Sequence, residues 1–514
     1  MKTVQKYIFA FVGLIMTTTF FSSCEPLTDI NKNPNEPNTV PTSSLFASAQ
    51  KNIMNNLRGT GLSAGTSMLF IQYFGHNTYT DTDRYLMTNS TGSSNWSSLY
   101  SAIATLNEII KLNTDPQTKD IVSIDGVNEN QIAACRILKV WAFQSMTDIW
   151  GDIPYHSTGS DDPDFQACSA TEEVVYPKYA SQEKIYKDML KELKEAGNML
   201  TGTTGFKKGD VVFGGNVERW KKLANSLSLR VANRVKDKLP EAANRIQEII
   251  NNPSDYPVMV SNSDNAYIPY EATAPNEAPF YTYTIKANRN DYSITHVVVE
   301  CMQGIRGPFT IDDPRLPKYA QPAKNHEIII GQPYGISAAL ASTIGADNVS
   351  FPGTTIYASN FKEVIMEYSE VQFILSENKG WDQTAYTEGI KASMEKWGVT
   401  VADINTYISS VPVANEETVL TQKWIALMMQ GVEAWSEYRR TGYPNFLVMP
   451  GDVVWTGIFN GQLTDEKFIP LLGDAIPRRL FYPDTEQSLN KECYQAAISA
   501  QGNDTMSARI WWDK

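Results

Sequence analysis

Two stretches of the chain carry the side-chain types from which a carbohydrate-reading surface is built. Flat rings stack on the C–H faces of a sugar, and amides, carboxylates and guanidinium groups read its hydroxyls. Residues 76–96 supply Tyr79, Asp81, Asp83, Arg84, Tyr85, Asn95 and Trp96. Residues 276–292 supply Phe280, Tyr281, Tyr283, Arg289, Asn290 and Tyr292. Both read as loops, and loops held by a rigid frame carry function disproportionately. The candidate ligand residues are therefore Tyr79, Asp81, Arg84, Tyr85, Trp96, Phe280, Tyr281, Tyr283, Arg289 and Tyr292. For each ring, packing beneath its own loop is the competing role, most clearly for Trp96, which opens a helical stripe.

Catalysis has less to stand on. His76, His156, His296 and His326 lie far apart, without HxxxH or HExxH spacing, and neither GxSxG nor a phosphate-cradling loop is present. Asp161, Asp162 and Asp164 lack the ligand spacing and glycine of an EF-hand, so they read as a solvated acidic loop with no metal. A glycosidase needs two carboxylates held roughly 5–9 Å apart, which spacing in sequence does not give. The expectation is a binding protein with no enzyme activity and no cofactor. A formal charge of −13 and a pI near 5.0 argue against nucleic acid, whose affinity rests on Lys and Arg. Cys135, Cys168, Cys301 and Cys493 are widely spaced with no CxxC pair, and free thiols are the preferred reading.

The N-terminus has its own pattern. Lys2 and Lys6 precede an apolar run from Tyr7 to Phe21, and Ser22-Ser23 then leads into Cys24. A spanning helix needs about 20 apolar residues, so this shorter run with a basic flank reads as a cleaved leader. The residues resemble a lipoprotein signal, with Cys24 acylated, although Phe21 stands where an aliphatic residue is commoner. Acyl chains on Cys24, at about 0.8 kcal/mol per buried CH₂, would tether the protein to a membrane. Glu25 and Asp29 resemble the acidic surface-export signal of Bacteroidetes lipoproteins.

The elements that must position the loops are helices. Residues 1–23 are the leader and 24–41, rich in Pro and Asn, an extended tether. Residues 42–514 are the body, long enough for two or three closely packed subdomains, and hydrophobic residues make up 42% of the full sequence. Trp96, Leu99, Ile103, Leu106 and Ile110 step by three and four, as do Ile132, Cys135, Leu138, Ala142 and Met146. Helical pairs are expected at 96–112 with 130–147, 183–200 with 217–236, and 361–377 with 384–397. A further stripe runs from Trp424 to Trp435. Residues 251–357 are a loop-rich insertion. Consecutive helical hairpins predict a mainly α, solenoid-like frame, tetratricopeptide-like without the strict consensus.

Several motifs recur in a telling order. They are Thr-Asp-Ile-Trp-Gly-Asp-Ile-Pro-Tyr at 147–155, the 216–234 helix around Trp220 and Arg230, and Asp-Asp-Pro-Arg-Leu at 312–316. Glu-Tyr-Arg-Arg-Thr-Gly-Tyr-Pro ends at 444, and Pro477, Arg478, Tyr482, Pro483, Glu486 and Asn490 follow. Behind a lipobox-like Cys24, and with Asp-Ile-Asn-Lys-Asn-Pro-Asn at 29–35, this series resembles the SusD/RagB family of outer-membrane nutrient-binding lipoproteins, over nearly the whole mature chain. The resemblance implies a SusD-like α-α superhelix with a loop-rich ligand face. It also implies an oligosaccharide ligand and a SusC-like TonB-dependent transporter as partner, at the cell surface. Two alternatives within the same resemblance are a peptide ligand of the RagB type and a structural transporter lid with no ligand. Most of the motif residues, including Trp220, Arg439, Arg440 and the 312–316 turn, read as scaffold.

Overall fold

Helices form where the sequence lays apolar stripes, and several begin at a residue whose side chain accepts from one of their first N–H groups. The structure is a computed structural model that describes residues 40–168 and 174–513, so the leader, Cys24 and nearly all of the tether lie outside the described residues. The longer helices are α1 (Thr42–Arg58), α2 (Ser93–Thr114), α3 (Asn128–Trp150), α4 (Gln182–Met199), α5 (Val217–Val235) and α6 (Pro240–Asn251). Then come α7 (Tyr368–Asn378), α8 (Gln383–Lys396), α9 (Val401–Ser410), α10 (Glu416–Ala426), α11 (Gly431–Thr441) and α12 (Lys491–Gln501). Ser181 caps α4 by accepting from the Lys184 N–H, and Asn216 caps α5 by accepting from Arg219. Asn415 and Thr418 form a reciprocal capping box at the start of α10.

Each of the first five of these helices packs on the next in the chain, and α7 packs on α8 and α10. The paired-helix reading therefore holds, as one continuous stack. α3 is buried on every side from Asn130 to Trp150, which makes it the centre of the stack. Thr42–Lys514 forms one compact unit. Among the described residues no helix is long and apolar enough to cross a membrane.

Two expected helices are interrupted. Residues Lys362–Met366 are a strand, because Glu363, Val364, Ile365 and Met366 are all buried and pair with Ala266–Pro269. Val364 happens to stand four residues before Tyr368, which mimics a helical step. The Trp424–Trp435 stripe is also broken, since α10 ends at Ala426 and Met429 takes φ +71° before α11 restarts at Gly431. A Cβ at Gly431 would stand 2.6 Å from Met68 Cγ and Ser67 Oγ, so glycine permits this close approach.

Three antiparallel pairs complete the fold: β1 (Phe74–His76) with β3 (Tyr292–Ile294), β2 (Ala266–Pro269) with β4 (Lys362–Met366), and β5 (Val453–Phe459) with β6 (Gln462–Lys467).

The motif cations lock the stack from inside. Arg230 of α5 donates to Glu370 of α7 at 2.7 Å, and Arg234 pairs with Glu433 and Glu437 of α11. Lys423 of α10 reaches Glu437 at 2.6 Å, and Arg440 bridges Glu437 and Glu377. Burial alone would raise the Glu437 carboxyl, but Arg440, Lys423 and Arg234 hold it well below the usual range. Arg439 lies 3.7 Å over the Trp435 ring and donates to the Asp148 and Arg478 carbonyls. Arg315 pairs with Asp313 inside the 312–316 turn. These are scaffold roles.

Candidate functional site

The two aromatic segments meet. β1 and β3 pair in the register Phe74↔Ile294, Gly75↔Ser293 and His76↔Tyr292, so residues 77–85 and 283–291 leave the sheet side by side. Asn77 stitches the exit, its N–H donating to the Asp291 carbonyl at 3.0 Å and its side chain to Asn290 O at 2.8 Å. A ledge results, with Tyr79 61% exposed at its lip. The Arg289 guanidinium stands 5.9 Å from the Tyr79 ring centre and 5.4 Å from that of Tyr283. Asp291 holds Arg289 there, accepting from Nε at 2.9 Å, and also accepts from the Tyr283 hydroxyl at 3.3 Å. Asp81 is exposed beside them, and Tyr281 and Tyr283 are half-buried.

Beneath the lip, His76 and Asp83 fix the turn. His76 Nδ1 lies 2.5 Å from Asp83 Oδ1, and the His76 N–H donates to Asp83 Oδ2 at 2.6 Å. Burial opposes the charged imidazole, yet the attraction and hydrogen bond of Asp83, with Asp291 adding to them, raise its pKa.

The rest of the predicted set divides by burial. Tyr85 is 0% exposed, wedged edge-on between Phe70 and Phe468. Phe280 and Tyr292 are buried too, in a ring stack with Phe74 and Tyr357. These three rings support the ledge and present no face to a ligand. Arg84 is half-buried and donates through Nε to the Ile469 carbonyl at 3.0 Å, while Leu471 donates back to Arg84 O. Trp96 does not join the ledge. It begins α2, meets Trp150 edge-on, and lines a recess of about 370 Å³ with Tyr100 and Pro154.

Asn77, His76 and Asp291 lie outside the set that the sequence singles out, and Asp83 lies within its first segment. The Arg289-x-Asp291 spacing was a usable signal, since alternate residues on extended chain share a face. From sequence, His76 stands out only as a potential zinc ligand. Among the described residues no group of three or more His, Cys, Asp or Glu is arranged to hold a metal. The acidic loop is occupied by Lys184, whose Nζ reaches Asp162 at 3.1 Å and Asp164 at 2.7 Å. Cys135, Cys168, Cys301 and Cys493 are free.

A stacked helical frame that presents rings, guanidinium and carboxylates on joined loops is built to bind. Residues 34–464 match the model of a family described as SusD-like, starch-binding and associating with the outer membrane, and the chain belongs to that family. Its fold is also that of solved relatives. A SusD homologue from Parabacteroides distasonis is 21% identical, with a TM-score of 0.74, covering 92% of this chain and 98% of its own. A chitin-binding SusD homologue from Flavobacterium johnsoniae is 24% identical, with a TM-score of 0.70 and coverage of 91% and 98%. A SusD homologue from Bacteroides uniformis is also 24% identical, at a TM-score of 0.68, covering 91% and 99%. No curated protein matches the chain.

Proposed function

We propose that the protein binds an oligosaccharide on this ledge and, held at the outer membrane by acyl chains on Cys24, passes it to a SusC-like TonB-dependent transporter. It performs no chemistry of its own. The observation that carries the reading is the β1–β3 pairing, which sets Tyr79, Arg289 and Tyr283 within reach of one another. Tyr79, Tyr281 and Tyr283 offer ring faces, while Asp81, Arg84, Arg289 and Asp291 read hydroxyls. Family membership supports the ligand class, and chitin, which the Flavobacterium relative binds, is itself a glycan.

Affinity electrophoresis and calorimetry against a glycan panel test this. The Tyr79→Ala/Tyr283→Ala double variant is expected to weaken a bound glycan by about tenfold or more, roughly 1.4 kcal/mol. Unchanged affinity in a folded double variant would remove the ledge as the site.

A further inference from the structure

The recess at Trp96 is one end of a longer cleft. Three recesses of about 400, 380 and 370 Å³ adjoin along α12 and the short helix Asp484–Leu489. The first two share Glu492 and Cys493, and the last two share Leu489. Their walls are mostly apolar, with the 176–181 segment opposite the helices. Tyr176 and Leu489 form the lips of the middle recess and are 63% and 70% exposed.

Asn490 stands in that recess. It is 6% exposed, and its Nδ2 donates to the Pro177 carbonyl at 2.9 Å, which fixes the plane of the amide. Its Oδ1 is buried and has no hydrogen-bond partner. A buried acceptor left unpaired costs about 1–3 kcal/mol, so the position is suited to a donor from outside.

We propose that this cleft is a second binding site, separate from the ledge, for an N-acetylated sugar. The acetamido N–H donates to Asn490 Oδ1, the acetyl methyl lies on Leu489, and the sugar's C–H face continues onto Tyr100, beneath which the buried Trp96 packs. Lys178 and Glu492 at the rim meet the hydroxyls. A peptide suits the cleft less well, because each of its residues brings a backbone N–H and C=O that need partners. An acetamido sugar brings one amide on a largely apolar body. This site goes beyond the ledge reading and does not depend on it.

The test uses the β-1,4-linked disaccharide of N-acetylglucosamine as probe, beside cellobiose and the corresponding glucosamine disaccharide, with the full-length folded protein. Saturation-transfer NMR is expected to show the acetyl methyl most strongly saturated, and calorimetry to show binding at least about tenfold tighter than for either unacetylated sugar. Ser97→Trp and Leu489→Arg, which fill or charge the cleft from exposed positions, are each expected to weaken binding about tenfold with the melting temperature retained. Equal binding of cellobiose overturns the proposal, as does indifference to both variants. Loss of the signal in Tyr79→Ala overturns it too, by moving the ligand to the ledge. Tighter binding of trialanine than of the disaccharide would make the cleft a peptide site.

Discussion

His76 and Asp83 do for the ledge what a staple does for a bent page: they hold the turn from which Tyr79 projects. The histidine pKa is raised, so its stabilising pair is fully present below the ordinary histidine value of 6.5 and is lost as pH rises through the folded-state value. Glycan affinity is therefore expected to fall as pH rises above the ordinary histidine value, and His76→Gln to flatten that dependence. Calorimetry across the range checks it, and an equally steep profile in His76→Gln would assign the effect elsewhere. At this scale sequence was least informative. Tyr79 and Tyr85 lie in the same polar loop with similar neighbours, yet one is exposed and the other lies between Phe70 and Phe468. What separates them is contact with Phe70 and with the distant Phe468, which no local pattern records.

Elements were far more legible, for a physical reason. A stripe repeating every three or four residues survives into the structure because it must face another helix, as α2, α3, α4 and α5 do. Reading failed where a strand was short enough to look like one helical step, at Lys362–Met366, and where a stripe crossed a break, at residues 427–430. Helix ends followed backbone chemistry. Gly151 ends α3 with φ +91° and ψ −126°, a conformation that side chains resist, and a Cβ there would stand 1.9 Å from Gln501 Oε1. Gly151→Ala is expected to cost about 1–3 kcal/mol. Chemical denaturation would register it as a lower midpoint at unchanged slope, and an unshifted midpoint would show that the turn relaxes freely.

Across the whole molecule, the buried ions tie together helices that are distant in sequence. Arg234 alone touches Glu433 and Glu437 of α11 and approaches Asp148 of α3 at 3.6 Å. Replacing it with Met leaves these carboxylates buried without their cation, and such a loss costs about 3–5 kcal/mol. Thermal and denaturant melts of Arg234→Met should show that deficit across the entire unit, since five helices share the network. A loss below about 1 kcal/mol would mean that Arg230, Arg440 and Lys423 suffice. The β1–β3 pairing has a different reach. It joins just three residues of each strand, and Tyr79, Asp81 and Arg289 all lie past the last paired position. A handful of codons at the rim can thus change while the inherited helices go on folding as before.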